Sequence, residues 1–225
     1  MAEAGDKKKD IIIVTGGVVD DILLLDIIES TSDKPYIIGV DKGMEALERL
    51  QITADLIVGD FDSADESIKE KYAMDKRTIL LNPIKDMTDT HVAVKKAVDY
   101  AESKNISIII MGATGGRIDH LLGNIGLLKH CLLYDVKACI VDRQNKISML
   151  DKDAVIKKKD LYGKFISLIP FTDMVEGVTL EGFKYNLSDG VLLKGDTLGI
   201  SNELIKEEGR ISIKSGILLL LETKD

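Results

Sequence analysis

Short apolar runs alternate with helically spaced apolar positions through the first two-thirds of the chain. Residues 11–14, 36–40, 56–58, 78–81, 108–111 and 138–141 are near-continuous apolar runs of strand length. Between them the spacing predicts helices over residues 20–30, 41–50, with Asp41 as a possible side-chain cap, 66–74 and 88–103. In the last of these, Val94, Ala97, Val98 and Ala101 share one face. A further helix carries Leu121, Leu122, Ile125, Leu128 and Leu132 as its apolar stripe. Strands apolar on both faces, alternating with helices, predict an α/β fold with a parallel sheet covered on both sides.

After Asn145 the texture changes. Segments 146–150, 164–169, 175–180, 191–193, 210–213 and 216–221 are separated by Gly, Asp and Asn turns, with no helical pattern between them. This predicts an all-β second domain, a small sandwich. The expected organisation is a mobile polar tail over residues 1–9, an α/β domain over 10–144 and a β-sandwich over 145–225.

Composition changes this picture in three ways. Trp is absent and aromatics are 4% of the chain, so the core must be built from Ile, Leu and Val. The net charge of −8 argues against non-specific nucleic-acid binding, and an anionic substrate would need a cation to screen the carboxylates. Cys131 and Cys139 fall in apolar patterns and read as small buried hydrophobes, with neither metal spacing nor a disulfide framework. No apolar run approaches the roughly 20 residues of a membrane helix, and no secretory leader is visible. A cytoplasmic protein is expected.

In parallel sheets ligands bind at the carboxyl ends of the strands, and three such loops are rich in Asp. The first is Gly59-Asp60-Phe61-Asp62-Ser63. If it is extended, Asp60 and Asp62 project to one side and can share a magnesium ion, which takes carboxylate oxygens; a solvated polar turn is the competing reading. The second, Asp86-Met87-Thr88-Asp89, places two carboxylates near one helical turn, where helix capping is the alternative. The third runs from Gly112 to His120 and includes Gly115, Gly116, Arg117 and Asp119. Its glycines let backbone N–H groups approach phosphate, and Arg117 adds a forked donor; a tight turn is the alternative. It is neither a dinucleotide fingerprint nor a Walker loop. Together the loops supply five carboxylates, which a divalent metal would neutralise while attracting polyphosphate. His120 adjoins Asp119 and is a candidate for substrate or phosphate contact, whereas His91 and His130 read as helix-surface residues.

These segments, followed by Gly199-Ile200-Ser201-Asn202-Glu203, stand in the order that resembles the thiamine pyrophosphokinase family, over residues 11–221. The resemblance implies an ATP-binding α/β domain, a thiamine-binding sandwich and a homodimer with thiamine near the subunit interface. It implies Mg2+ and the ATP phosphates among Asp60, Asp62, Asp86, Asp89 and Asp119, with Thr88, Gly115, Gly116, Arg117 and His120 near those phosphates. Ser201 and Asn202 match the segment that helps bind the vitamin. Asp41-Lys42-Gly43 resembles an Asp-Gly-Gly stretch near the nucleotide, departing from it at Lys42. The implied reaction is attack of the thiamine hydroxyl on the β-phosphorus of ATP, releasing AMP, with Asp62 indispensable and Asp86 or Asp89 taking the proton. The competing readings are another hydroxymethyl acceptor such as a pterin, a magnesium phosphohydrolase, and a non-catalytic nucleotide or vitamin sensor.

Overall fold

Hydrogen bonding between apolar runs builds the first unit of the computed structural model, which describes residues 10–61, 65–82, 86–101 and 106–225. The tail expected over residues 1–9 lies outside the described residues. The chain divides into units Met1–Arg143 and Gln144–Asp225. In the first, the order is β1 (Ile11–Val14), α1 (Asp21–Ser30), β2 (Tyr36–Val40), α2 (Gly43–Arg49), β3 (Leu56–Gly59), α3 (Glu66–Tyr72), β4 (Thr78–Leu80), α4 (Asp89–Ala101), β5 (Ser107–Met111), α5 (Ile118–Leu133) and β6 (Lys137–Val141). The strands pair in parallel in the order β6-β5-β1-β2-β3-β4.

Both faces of this sheet are buried. Ile12, Val14, Ile37 and Ile57 form one core with Leu24 of α1, Met44 and Leu47 of α2, and Ile68 and Tyr72 of α3. Side chains alternate across a strand, so Ile11, Ile13, Ile38 and Val58, equally buried, face the other side. There α4 packs on β1, β2 and β3, and α5 packs on α4 and β6. The chain leaves β1 toward β2 on one side and later returns to β5 on the other. Strand order therefore reverses between β1 and β5, and the loops after these two strands flank the crevice where such sheets bind ligands.

Two helices differ from the sequence expectation. The residue that stands at the N-cap of α2 is Lys42, which makes no side-chain cap bond, and the carbonyl of Asp41 accepts from Met44 N–H. In α5 the buried line is Asn124, Leu128 and Cys131, while Leu122 is 64% exposed. The helix is apolar on more than one side, and packing against α4 and β6 selects the line that is covered.

The second unit is antiparallel. It comprises β7 (Asn145–Leu150), β8 (Ala154–Lys157), β9 (Phe165–Pro170), β10 (Met174–Glu181), β11 (Leu187–Leu193), β12 (Asn202–Glu203), β13 (Glu208–Ser212) and β14 (Leu218–Thr223). Within it, β12-β9-β14-β7 and β11-β10-β13-β8 form two layers around Leu168, Val175, Val178, Phe183, Ile211 and Leu218. A β-sandwich thus follows the α/β unit. No helix among the described residues is long and apolar enough to cross a membrane.

Candidate functional site

Three strand-to-helix junctions converge on one acidic cluster. Asp41 follows β2, Asp60 follows β3 and Asp89 opens α4, and one carboxylate oxygen from each lies within 4.8 Å of the others. All three residues are half-buried. Asp41 takes a left-handed backbone (φ 48°), which Asp tolerates better than most residues. Gly59 makes room for it, because a Cβ there would sit 3.2 Å from the Asp41 backbone. The grouping is an oxygen-only donor set of the kind magnesium accepts. Like charges so close together repel, and a divalent cation relieves that repulsion.

The backbone turns where the sequence suggests an extended segment. Phe61 is buried at φ 57°, a conformation unusual for an aromatic residue. The period-two reason for pairing Asp60 with Asp62 therefore does not hold. Asp62 itself lies outside the described residues, and Asp60 meets Asp41 and Asp89 instead.

Beside the trio a cavity of about 310 Å³ is lined by Asp86, Met87, Thr88, His91, Asp119, His120, Gly123, Asn124 and Leu127. Thr88 caps α4: its hydroxyl accepts from His91 N–H at 3.2 Å and its carbonyl from Val92 N–H. The cap fixes Asp89 at the start of the helix, where the dipole favours a carboxylate. His91, expected on the helix surface, lines this cavity, half-buried, with its ring edge-on to His130. Burial, then His130 and Lys95, hold its imidazole below the ordinary value.

The glycine-rich loop after β5 is braced from behind. Gly17 N–H donates to Gly112 O at 2.7 Å and Val18 N–H to Thr114 O at 3.1 Å. A Cβ on Gly17 would lie 2.3 Å from Gly112 O, so only glycine allows the two switch-point loops to approach this closely. Thr114 Oγ1 donates to Asp142 Oδ2, and the buried Asn124 amide donates to Ala113 O. Gly115 needs its left-handed conformation (φ 75°), while the space around Gly116 is open. Arg117 forks onto Asp119 at 3.1 and 2.5 Å, both residues being exposed. The guanidinium holds the Asp119 carboxyl below its usual range.

In the second unit Asn202 is buried and its amide is engaged internally. Its Oδ1 accepts from Tyr185 N–H and Glu203 N–H, and its Nδ2 donates to Tyr185 O at 2.7 Å. Ser201, at φ 59°, donates from its N–H to Ser167 Oγ. The result is a fixed turn that presents Tyr185, 60% exposed, with the Lys184 ammonium 5.5 Å from its ring centre.

The carboxylates thus fall into two groups. Asp60 and Asp89 join Asp41, which the sequence places near nucleotide only, while Asp86 and Asp119 line the adjoining cavity with Thr88 and His120. The structure adds His91, Asn124 and Tyr185 to the residues singled out in the sequence. For Tyr185 the one signal is an aromatic in a chain with few of them.

Both halves of the chain match known proteins. Residues 28–140 match the family model described as "Thiamin pyrophosphokinase, catalytic domain", and residues 153–218 match "Thiamin pyrophosphokinase, vitamin B1 binding domain". A thiamine pyrophosphokinase of Bacillus subtilis (strain 168) is 38% identical over 96% of this chain and 100% of its own length. Among solved structures, the thiamine pyrophosphokinase from Bacillus subtilis superposes with a TM-score of 0.84 at 35% identity, covering 96% of this chain and 100% of that one. The thiamin pyrophosphokinase from Geobacillus thermodenitrificans gives 0.81 at 33% identity, covering 96% and 97%.

Proposed function

The chain belongs to the thiamine pyrophosphokinase family, and from this we propose how its residues divide the transfer of pyrophosphate from ATP to thiamine. The observation that carries the reading is the junction of Asp41, Asp60 and Asp89 beside the cavity lined by Asp86, Thr88, Asp119 and His120. The trio would hold magnesium, which supplies neutralisation of polyphosphate charge when bound. Thr88, the glycine-rich loop and Arg117 orient the phosphates, with backbone N–H groups and a guanidinium as donors. Arg117 exchanges its Asp119 fork for phosphate oxygens when ATP arrives.

The thiamine hydroxyl oxygen bonds to the β-phosphorus. The bond from that phosphorus to the oxygen bridging it to the α-phosphorus breaks, and AMP leaves with the electron pair. Asp86, outside the trio, accepts the hydroxyl proton. In the second unit Tyr185, fixed by Asn202, lies against the planar rings of the vitamin. We further propose a homodimer, supported by the exposed apolar side chains Ile22, Ile118 and Leu122, working in the cytoplasm, where the thiol of Cys131 stays reduced.

A panel of acceptors tests the reading. Thiamine is expected to be converted with ATP and magnesium, while a hydroxymethyl pterin is left unchanged. Conversion of the pterin in preference to thiamine would overturn the assignment of the acceptor.

A further inference from the structure

Two buried hydroxyls tie the start of α4 to the end of β1. Thr15 and Thr90 are 6% and 8% exposed, and their Oγ1 atoms share a hydrogen bond of 2.8 Å across 75 residues of sequence. Thr15 follows β1 directly, and its N–H donates to Met111 O at 2.9 Å, which fixes it to the end of β5 as well. Thr90 is the second residue of α4, between Asp89 of the acidic trio and His91 of the cavity. The bond therefore joins the strand pair at the switch point to the helix turn that carries one of the three carboxylates.

We propose that the Thr15–Thr90 pair is a positioning latch that sets the affinity of the Asp41–Asp60–Asp89 cluster for a divalent cation. This rests on the reading of that cluster as the metal-holding group. Asp41 and Asp60 stand at strand ends, whereas Asp89 rides on a helix whose first turn could shift away from them. Repulsion among the three carboxylates favours such a shift. A tie between neutral hydroxyls opposes it without adding charge to the cluster, and gathers the ligands before the ion arrives. Neither threonine touches the reacting atoms. Their effect passes through Asp89, in the way that groups supporting a metal ligand tune its affinity.

The test is a titration of the full chain with Mn2+ alone, free ion being read from its electron paramagnetic resonance signal. Thr90→Val keeps the shape and removes the hydroxyl, and is expected to weaken Mn2+ binding about tenfold. Thr90→Ser restores the hydroxyl and should stay within about twofold of the parent. Val98→Ala, in the buried face of the same helix, lowers stability without touching the pair and should bind as the parent does. Should Thr90→Val fail to fold, Thr15→Val, which leaves α4 unaltered, carries the same expectation. Parent-like binding by the valine variant overturns the latch, as does a serine variant as weak as valine or an equal loss in Val98→Ala. If the parent itself takes up no Mn2+, the metal reading falls and the latch with it. If the parent binds Mn2+ and makes thiamine diphosphate while the valine variant binds equally well, the latch alone falls.

Discussion

Asp89 is both the first residue of α4 and a member of the trio. The helix dipole steadies its charge there, while Asp41 and Asp60 crowd it. Replacing it with Asn keeps the shape and removes the charge. The Asp89→Asn variant should lose more than about a hundredfold in thiamine diphosphate formation, a larger loss than removal of a group that only supports a metal ligand would cause. Circular dichroism should remain that of the parent. Tyr185→Ala should raise KM for thiamine about tenfold with little change in kcat, the size of one lost ring contact. Both substitutions are read by steady-state kinetics. The sequence points to Asp60 and Asp89 from their place after apolar runs. It does not reveal that Asp41 joins them, because it is the pairing of β2 with β3 and the packing of α4 on these strands that bring residues so separated together. Nor does it reveal the turn at Phe61, since nothing about an aromatic between two aspartates signals a left-handed backbone. The place of His91 is equally hidden, because helical periodicity cannot tell which polar face borders a cavity.

At the scale of elements, the strands of the first unit lie within one residue of their apolar runs. Elements without such a signature are illegible. The two-residue strand Asn202–Glu203 is polar, and Ala154–Lys157 alternates too briefly to stand out from its lysine-rich surroundings. The buried line of α5 departs from the expected stripe because its sequence offers more than one apolar side. Between α3 and β4, Asp75 accepts a fork from Arg77, whose Nη1 also donates to Ala54 O just before β3. The Arg77 guanidinium brings the Asp75 carboxyl down to about 2. A carboxyl lowered by folding adds stability that is complete above its unfolded value, about 4, and is lost as pH falls through the folded one. Asp75→Asn should therefore be less stable than the parent at neutral pH, with the difference closing between about pH 4 and pH 2. Urea unfolding midpoints across that range would reveal it; a gap that stays constant would contradict the ion pair's part in holding β3 to β4.

Across the whole molecule, two units of different texture match the two domain models of one enzyme family. That division is visible in the sequence as a change from alternating strand and helix patterns to strands alone. Exposed apolar side chains on a helix, by contrast, become evident only once its buried side is known. If the exposed apolar residues of α1 and α5 meet a second copy, sedimentation should give twice the 24.7 kDa of one chain. Leu122→Glu should then sediment as a single chain. A parent that sediments as one chain at assay concentration would contradict the dimer. The extended backbone from which a phosphohydrolase reading would start is interrupted at Phe61, whose φ is 57°.

Pyrophosphoryl transfer to thiamine leaves a distinct isotopic record when the ATP carries label on its β-phosphorus, and the products of one such incubation decide the matter. One AMP is expected for each thiamine diphosphate, with the label in the vitamin product. ADP together with unlabelled thiamine monophosphate would mean attack at the γ-phosphorus and would contradict the transfer.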